Sequence, residues 1–293
     1  MNRNILVTGA NGQLGRSLQK IKSRYGDCTF YFTDIDTLDI CDKQQLTDFV
    51  YSHKISYILN CAAYTAVDKA EDDRGLCLCI NRDAVRMIGE VASAKGINAV
   101  HISTDYVFDG TATRPYREED QTNPQSFYGQ SKLEGEIALQ QACPDAVIIR
   151  TSWLYSEYGA NFVKTMLRLG NERTELKVVC DQTGSPTYAE DLATAIMAMV
   201  TRKPFVSGIY HFANEGVCSW HDFAVKIMEL AGLNCRVYPI QTREYPTRAI
   251  RPAFSVLDKE KIKSTFHLSI PLWEESLEKC IKLLPTFAQG QIL

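Results

Sequence analysis

The sequence predicts an α/β protein built on a doubly wound parallel sheet, with a smaller mixed α/β part at the C-terminal end. Over the first 150 residues, short continuous apolar runs alternate with amphipathic stretches that have helical spacing. Continuous apolar strands separated by helices are typical of a parallel sheet that is covered on both faces. A glycine-rich turn directly after the first apolar run supports the same fold class.

Five apolar runs in the first half are predicted to be strands of this sheet. They lie at residues 4–9, 28–34, 56–63, 98–105 and 145–152. The stretch 81–96 has apolar residues near the i, i+3, i+4 spacing and a closing glycine, which predicts a helix between the third and fourth strands.

Beyond about residue 150 the alternation becomes less regular. Runs at 175–181 and 208–213 still look like strands, and we expect both to return to the main sheet. The proline-containing stretch 236–255 is predicted to be a loop. Since there is no internal repeat or obvious linker, we expect one domain over residues 1–150 and a second, closely joined part over residues 151–293.

The composition excludes several classes of function. Of the 293 residues, 45% are hydrophobic and 23% are charged, and the formal net charge of −3 indicates no surface for nucleic acid. Most of the ten cysteines, such as Cys61 and Cys180, lie in apolar runs, which favours buried, reduced thiols. Cys77 and Cys79 form a C-x-C without a second pair at zinc spacing. The sequence shows no signal peptide and no membrane-spanning apolar run, so we expect a cytoplasmic protein.

A phosphate-binding turn is predicted directly after the first strand. Gly9, Gly12 and Gly15 form a G-x-x-G-x-x-G pattern that opens into a helix. Glycine allows a tight turn and the close approach of a pyrophosphate, and the helix N-terminus offers free N–H groups and a partial positive charge. Asp34 ends the second strand, where a carboxylate can accept hydrogen bonds from an adenosine ribose. These features predict a Rossmann unit that binds a dinucleotide.

The sequence leaves the choice between NADPH and NADH open. A carboxylate at Asp34 favours NADH because it would repel the 2′-phosphate of NADPH. Arg16, just after the third glycine, could offset that repulsion by pairing with a phosphate, or it could be a solvated side chain of the first helical turn.

The segment "SFYGQSKLEGE" carries a predicted catalytic pair, Tyr128 and Lys132. Four residues apart near the start of a helix, the phenol and the ammonium can act on one point. An ammonium nearby is expected to lower the pKa of the phenol toward working pH, so that it can serve as a proton donor to a ketone. Thr104, at the end of the fourth predicted strand, would polarise the carbonyl. After a Rossmann unit, these three residues resemble the site of the short-chain dehydrogenase/reductase superfamily.

Nearly the whole chain resembles the dTDP-4-dehydrorhamnose reductase family. The segments that carry the resemblance are "LVTGANGQLG", "NCAAYTAVDKAE", "STDYVFDG", "YGQSKLEGE", "RTSWLYSEYGANFV", "DQTGSPTYAEDLA" and "RPAFSVLD". The resemblance implies reduction of the C4 ketone of dTDP-4-dehydro-β-L-rhamnose to dTDP-L-rhamnose by NADPH or NADH, a step in making cell-surface polysaccharide. Residues 1–150 would then bind the cofactor, and residues 151–293 mainly the substrate.

The resemblance also implies a role for each matching residue. The cofactor would be bound by Gly9, Gly12, Gln13, Leu14 and Gly15 at the pyrophosphate, by Asp34, Asp39 and Ile40 at the adenosine, and by Ala63, Tyr64, Thr65 and Ser103 further along, together with Tyr128 and Lys132. The catalytic residues would be Thr104, Tyr128 and Lys132, with Tyr128 as proton donor. The sugar nucleotide would contact Thr104, Asp105, Tyr106, Tyr128, Trp153 and Arg251. The alternatives are a core aromatic for Trp153 and a solvated loop residue for Arg251.

A bridging metal, described for some dimeric members of the family, is not expected here. The acidic pair Glu190 and Asp191 is present, but the glycine turn continues into Arg16 and Ser17 without an acidic residue. A metal needs enough oxygen ligands to replace its water, so the missing carboxylate argues against the bridge. We predict no required metal and either a monomer or a homodimer.

Two other functions are compatible with parts of the sequence. A nucleotide-sugar 4,6-dehydratase or epimerase shares the glycine turn and the Tyr/Lys pair, but a dehydratase needs a second acid after Asp105, where Tyr106 stands. A regulatory subunit that kept the fold is expected to lose part of the triad, whereas Thr104, Tyr128 and Lys132 are all present.

Overall fold

The structure is a computed structural model, and it describes residues 3–284. The strands in this range are β1 (Arg3–Thr8), β2 (Cys28–Phe32), β3 (Tyr57–Asn60), β4 (Asn98–Thr104), β5 (Val147–Thr151), β6 (Leu154–Tyr155), β7 (Glu175–Val179), β8 (Thr183–Gly184), β9 (Thr187–Tyr188), β10 (Gly208–Phe212), β11 (Cys218–Ser219) and β12 (Arg236–Ile240).

The helices of the same range follow the strands in regular alternation through the first half. They are α1 (Gln13–Ile21), α2 (Lys43–Ser52), α3 (Arg74–Leu78), α4 (Ala84–Lys95), α5 (Phe127–Ala142), α6 (Phe162–Glu172), α7 (Ala189–Thr201), α8 (Trp220–Ala231), α9 (Glu260–Phe266) and α10 (Trp273–Leu283). A π-helical turn, Cys79–Asp83, joins α3 to α4, and short 3₁₀ turns lie at Lys22–Arg24, Lys69–Glu71, Asp105–Val107 and Thr242–Glu244.

Six strands form one parallel sheet in the order β10-β5-β4-β3-β1-β2. From β1 the chain adds β2 on one side and then crosses to add β3 on the other, so the winding reverses between β1 and β3. Ligands of open α/β sheets bind outside the carboxyl ends of the strands at such a reversal. The predicted doubly wound fold is confirmed, and it places the glycine turn at this edge of the sheet.

Each face of the sheet has its own apolar core. On one face Ile5 and Ile149 pack with residues of α1 and α7. On the other face Leu6 and Ile148 pack with residues of α2, α4 and α5. Because neighbouring residues of a strand point to opposite faces, a strand that is covered on both faces has to be apolar throughout. This is the physical reason for the continuous apolar runs of the first half.

The expectation that both later strands return to the main sheet is wrong for β7. Strand β10 lies in that sheet beside β5, but β7 pairs in parallel with β12 in a separate two-stranded sheet. Leu176 and Val178 of β7 are buried against α6 and α8 in a third core, while Glu175 and Lys177 are exposed. Such alternation belongs to a strand with one solvated face and distinguishes β7 from the strands of the main sheet.

The predicted loop at 236–255 is wrong in its first part, since Arg236–Ile240 forms β12. Pro239 lies within this strand although it has no N–H to donate. A proline is tolerated there because β12 pairs on one side only, with β7.

None of the helices within residues 3–284 is long and apolar enough to cross a membrane. The cysteines are free thiols, and five of them are buried, but Cys61 and Cys180, which the apolar runs predicted to be buried, are only partly buried.

Candidate active site

The glycine turn after β1 is held by close backbone contacts. Gly9 has a φ of +62°, and a Cβ atom there would lie 2.6 Å from the backbone nitrogen of Ala62. A Cβ atom on Gly15 would lie 2.5 Å from the carbonyl oxygen of Gly9, whereas one on Gly12 would meet only that oxygen, at 3.2 Å. Gly9 and Gly15 are therefore required by the fold itself, and Gly12 leaves the outer side of the turn open.

Helix α1 begins at this turn with its backbone N–H groups uncapped. No side chain caps its N-terminus at Gly12, and its first turn contains no acidic residue. Gln13 begins the helix, and Leu14 is buried behind it. Free N–H groups and the helix dipole favour an anion such as a pyrophosphate at this position.

Asp34 lies beside the glycine turn at the end of β2. Its carboxylate accepts hydrogen bonds from the backbone N–H groups of Asn11 and Ile35, both at 2.9 Å. Asp39 accepts from the N–H of Cys41 at 2.9 Å, and Ile40 is buried. Arg16 is exposed and lies over the ring of Tyr158, 5.9 Å from its centroid.

The loop after β3 is fixed by Asn81 in the π-helical turn. The side chain of Asn81 accepts from the N–H of Tyr64 at 2.9 Å and donates to its carbonyl oxygen at 3.1 Å. Ala63 and Tyr64 are half-buried, and Thr65 is exposed. The loop that carries these three predicted cofactor residues is thus held in one conformation.

Thr104 and Asp105 follow directly at the end of β4. The Thr104 hydroxyl accepts from the N–H of Tyr106 at 3.2 Å and donates to Asp105 Oδ1 at 3.0 Å. Burial raises the pKa of Asp105 to about 6, although hydrogen bonds from Ser255 and Thr104 oppose the shift. Asp105 Oδ2 is buried without a hydrogen-bond partner among the described residues.

Tyr128 lies in the first turn of α5, which Ser126 caps by accepting from the N–H of Gly129 at 3.2 Å. Tyr128 is only 9% exposed, and its ring packs edge-on against that of Tyr106. Burial raises the pKa of the phenol, and the hydrogen bond between Tyr128 and Thr104 opposes this effect. The expectation that Lys132 lowers the pKa of this phenol is therefore wrong, because desolvation dominates.

Lys132 lies one helical turn after Tyr128 and is almost fully buried. Its ammonium donates to the carbonyl oxygen of Ile102 at 2.7 Å and lies 3.2 Å from Nε2 of His101. Burial lowers the pKa of Lys132 to about 8, against the opposing charge of Glu136. The lysine is thus charged at neutral pH and close to its titration range.

The Ser103 hydroxyl is turned to the opposite face of β4 from Thr104. It donates to Glu136, which also accepts two hydrogen bonds from Arg150 Nε and one, at 2.7 Å, from Nη2. This buried group fixes α5 to strands β4 and β5. The predicted cofactor residue Ser103 therefore uses its side chain to hold α5, the helix that carries Tyr128 and Lys132.

Trp153 and Arg251 come from the later part of the chain. Trp153 has a φ of +48°, a strained backbone for a bulky residue, and its ring stacks on Trp220 with centroids 3.6 Å apart. Arg251 makes a two-point contact with Asp68, at 2.6 and 3.2 Å. Arg251 is therefore not a freely solvated loop residue, since its guanidinium is held across the loop after β3.

Glu190 and Asp191 are both engaged by other side chains. Glu190 is 2% exposed and contacts Lys20, Arg24 and Lys279 at 2.7 to 3.0 Å. Asp191 accepts from Asn214 and Ser276. Over residues 3–284, no group of three or more His, Cys, Asp or Glu side chains is arranged to hold a metal ion.

Sequence reasoning missed three residues that the structure brings to the site. None of His101, Asn81 and Asp68 was predicted to be a site residue. A histidine inside an apolar strand and an asparagine inside an apolar helix were the available signals, because each has to find a hydrogen-bond partner when buried.

Comparisons with known proteins match this chain over nearly its full length. A family model described as RmlD substrate binding domain matches residues 3–285. The dTDP-4-dehydrorhamnose reductase of Sinorhizobium fredii is 42% identical over 286 residues, which cover 94% of this chain and 96% of that protein. The spore coat polysaccharide biosynthesis protein SpsK of Bacillus subtilis is 39% identical and covers 95% of this chain and 96% of its own length.

Solved structures give the same result. A dTDP-4-dehydrorhamnose reductase from Clostridium acetobutylicum is similar with a TM-score of 0.91 and 43% identity, and the match covers 96% of this chain and 99% of that one. A dTDP-4-dehydrorhamnose reductase from Bacillus anthracis in complex with NADP has a TM-score of 0.91 and 40% identity, and the match again covers 96% of this chain and 99% of that one. The chain therefore belongs to the dTDP-4-dehydrorhamnose reductase family, as the resemblance of its motifs predicts.

Proposed function

We propose that the protein reduces the C4 ketone of dTDP-4-dehydro-β-L-rhamnose to dTDP-L-rhamnose, with NADPH or NADH as the cofactor. The observation that carries the proposal is the burial of Thr104, Tyr128 and Lys132 together at the carboxyl end of β4. The named reductases that the chain matches over nearly its full length support the substrate.

The residues at the glycine turn fit a dinucleotide. The open side of Gly12 and the uncapped start of α1 would hold the pyrophosphate, and Asp34 would face the adenosine ribose. A bound reduced nicotinamide supplies the hydride for C4. Asp34 and the exposed Arg16 would influence the preference between the two cofactors in opposite directions.

The chain's own residues would manage the proton. Tyr128 is a neutral phenol at neutral pH because burial raises its pKa, so it has a proton to give to the C4 oxygen. Thr104 would donate or relay a hydrogen bond at the same oxygen. Lys132, one helical turn after Tyr128, would contact the bound cofactor.

The sugar nucleotide would lie between this group and the later part of the chain. Asp105, Tyr106 and Trp153 would contact the sugar, and Arg251 would contact the diphosphate through its guanidinium. Because Asp68 holds Arg251, the diphosphate would have to compete with that carboxylate. That no metal is required stays a prediction from the sequence. A monomeric or homodimeric state and a cytoplasmic location stay predictions from the sequence.

The test is the absorbance of the reduced nicotinamide with dTDP-4-dehydrorhamnose, with NADPH and NADH compared at equal concentrations. Rapid oxidation that requires the keto sugar is expected, and the ratio of the two rates reports whether Asp34 or Arg16 dominates. Binding of the cofactor without oxidation would contradict the proposal and favour a regulatory subunit or another keto sugar. An epimerase would convert the sugar without net consumption of the cofactor.

A further inference from the structure

A buried row of polar side chains leads from the first strand to Lys132. The hydroxyl of Thr8 on β1 donates to Asn60 Oδ1 on β3 at 2.7 Å, and Asn60 Nδ2 lies 3.0 Å from Nδ1 of His101 on β4. The other ring nitrogen, Nε2, lies 3.2 Å from Lys132 Nζ. All four side chains are at most 2% exposed. The row therefore crosses three neighbouring strands and ends at the lysine.

The hydrogen atoms available to this row allow two arrangements. With the amide oxygen of Asn60 facing Thr8, Nδ1 of His101 accepts and the ring proton lies on Nε2, pointing at Lys132. An ammonium has no lone pair, so this arrangement suits only a neutral amine. With the amide turned over, Nδ1 donates to the oxygen of Asn60, and Thr8 accepts. Nε2 is then free to accept from the ammonium.

The surroundings keep the imidazole neutral in both arrangements. Burial and the positive charge of Lys132 place the pKa of His101 well below its ordinary value. Lys132 is faced by the carbonyl of Ile102, by Glu136 on its own helix and by the thiol of Cys77. His101 therefore responds to the ionisation of the lysine by changing its tautomer, without taking up charge.

We propose that His101 is a positioning residue that acts through Lys132: its Nε2 holds the lysine side chain at the end of β4 and accepts a hydrogen bond from the ammonium. The inference rests on the reductase function proposed above, because the ionisation of Lys132 affects turnover only in that reaction. It assigns His101 no contact with substrate or cofactor.

The first test follows the lysine directly, with the full chain labelled with ¹³C at lysine Cε. The Lys132 resonance is identified by its loss in Lys132→Arg. In His101→Leu the ammonium loses a buried acceptor, so the pKa of Lys132 falls by about one, a tenfold change in its acid dissociation constant. His101→Gln, whose amide oxygen can accept, restores most of the difference. This readout needs no substrate, so its result is distinct from failure of the proposed function.

His211→Leu is the matched control. His211 is also a buried strand histidine, but its Nδ1 lies 3.1 Å from the carbonyl of Tyr116, away from Lys132. We expect Lys132 in His211→Leu to titrate as it does in the unaltered protein. An unchanged titration in His101→Leu, or an equal shift in both variants, would overturn the proposal.

The second test is the pH profile of turnover with NADPH and the keto sugar. In His101→Leu the loss of activity on the alkaline side is expected about one pH unit lower, with kcat at pH 8 reduced about fivefold and KM little changed. If His101→Leu does not fold, Asn60→Leu replaces it, because this change removes the partner of Nδ1 and keeps the imidazole. A Lys132 titration that is unaltered in folded Asn60→Leu would overturn the proposal as well.

Discussion

The side-chain amide of Asn81 donates to the hydroxyl of Ser131 at 2.9 Å, and this contact fastens the loop after β3 to helix α5. Asn81 is fully buried and exchanges two further hydrogen bonds with the backbone of Tyr64. Ser131 lies between Tyr128 and Lys132 in the sequence. One side chain thus sets the separation between a predicted cofactor loop and the catalytic helix.

Replacing Asn81 by alanine is expected to lower the free energy of unfolding by about 3 kcal/mol. The change leaves the N–H and carbonyl of Tyr64 without their partner and removes one hydrogen bond from the hydroxyl of Ser131, and buried polar groups without partners are costly. Urea unfolding measures the difference. Ser131→Ala, which leaves the contacts of Asn81 with Tyr64 in place, is expected to cost about 1 kcal/mol. Equal costs for the two variants would contradict this account.

Alanine at Gly12 is expected to weaken cofactor binding, whereas alanine at Gly15 is expected to lower the stability of the fold. Gly12 has a φ of −73°, which alanine adopts freely, and its added methyl would meet a single atom. Gly12→Ala is therefore expected to keep the free energy of unfolding within about 1 kcal/mol of the unaltered protein and to weaken NADPH binding at least about tenfold.

The matched change, Gly15→Ala, places a methyl against the backbone of Gly9 and Ala10. We expect it to destabilise the protein by about 2 kcal/mol or more, because backbone cannot yield as a side chain does. Urea unfolding and fluorescence titration with NADPH distinguish the two variants. A Gly12→Ala protein with normal affinity would remove this turn from the cofactor site.

Tyr128→Phe is expected to keep cofactor binding and to lower kcat by a factor on the order of 10² or more, as loss of a general acid predicts. The phenylalanine ring fills the same buried volume against Tyr106, so the fold is retained. Oxidation of NADPH with the keto sugar measures the rate, and nucleotide titration measures binding. Unaltered turnover would show that another group supplies the proton.

The buried pair Glu136 and Arg150 predicts a double-variant result. Arg150→Met leaves the carboxylate of Glu136 buried and unpaired, and the expected cost is about 3–5 kcal/mol. Adding Glu136→Leu removes that charge, and we expect the double variant to be more stable than Arg150→Met alone. Urea unfolding of the two single variants and the double variant forms the cycle. A double variant less stable than Arg150→Met would contradict the prediction.

Glu190 predicts a loss of stability in acid. Burial alone would raise the pKa of its carboxyl, but hydrogen bonds from Lys20, Lys279 and Arg24 lower it to about 2. A carboxyl whose pKa is lower in the folded state stabilises the fold above its unfolded pKa, near 4.5, and this contribution is lost as the pH falls toward 2. In Glu190→Gln the fall in stability between pH 5 and pH 2 is expected to be shallower. Parallel curves for the two proteins would refute the assignment.

The features that could be predicted from the sequence depend on neighbours along the chain. The glycine turn follows from the spacing of Gly9, Gly12 and Gly15, and the placement of Tyr128 and Lys132 on one helix follows from their spacing of four residues. Continuous apolar runs identified the main sheet because its strands are buried on both faces.

What could not be predicted depends on partners that are distant in the sequence. His101 and Lys132 are 31 residues apart, and Asp68 and Arg251 are 183 apart, so no local pattern joins them. The predicted direction of the Tyr128 pKa shift was wrong for a related reason. The spacing of residues indicates which charge is near the phenol, but not how strongly burial desolvates it. The prediction that β7 joins the main sheet was wrong because a short apolar run does not indicate which sheet a strand belongs to.

The late position of β10 in the sequence affects how the main sheet forms during translation. The main sheet gains its last strand only after the ribosome has passed Phe212, although β5 was finished at Thr151. During that interval β5, which is buried along its whole length in the finished protein, is an uncovered edge strand, and α7, which packs on α1, is only then being synthesised. An open edge is a template for pairing with another chain. Translation that stops between these two strands would therefore give a fragment prone to aggregate, and not a smaller dinucleotide-binding protein.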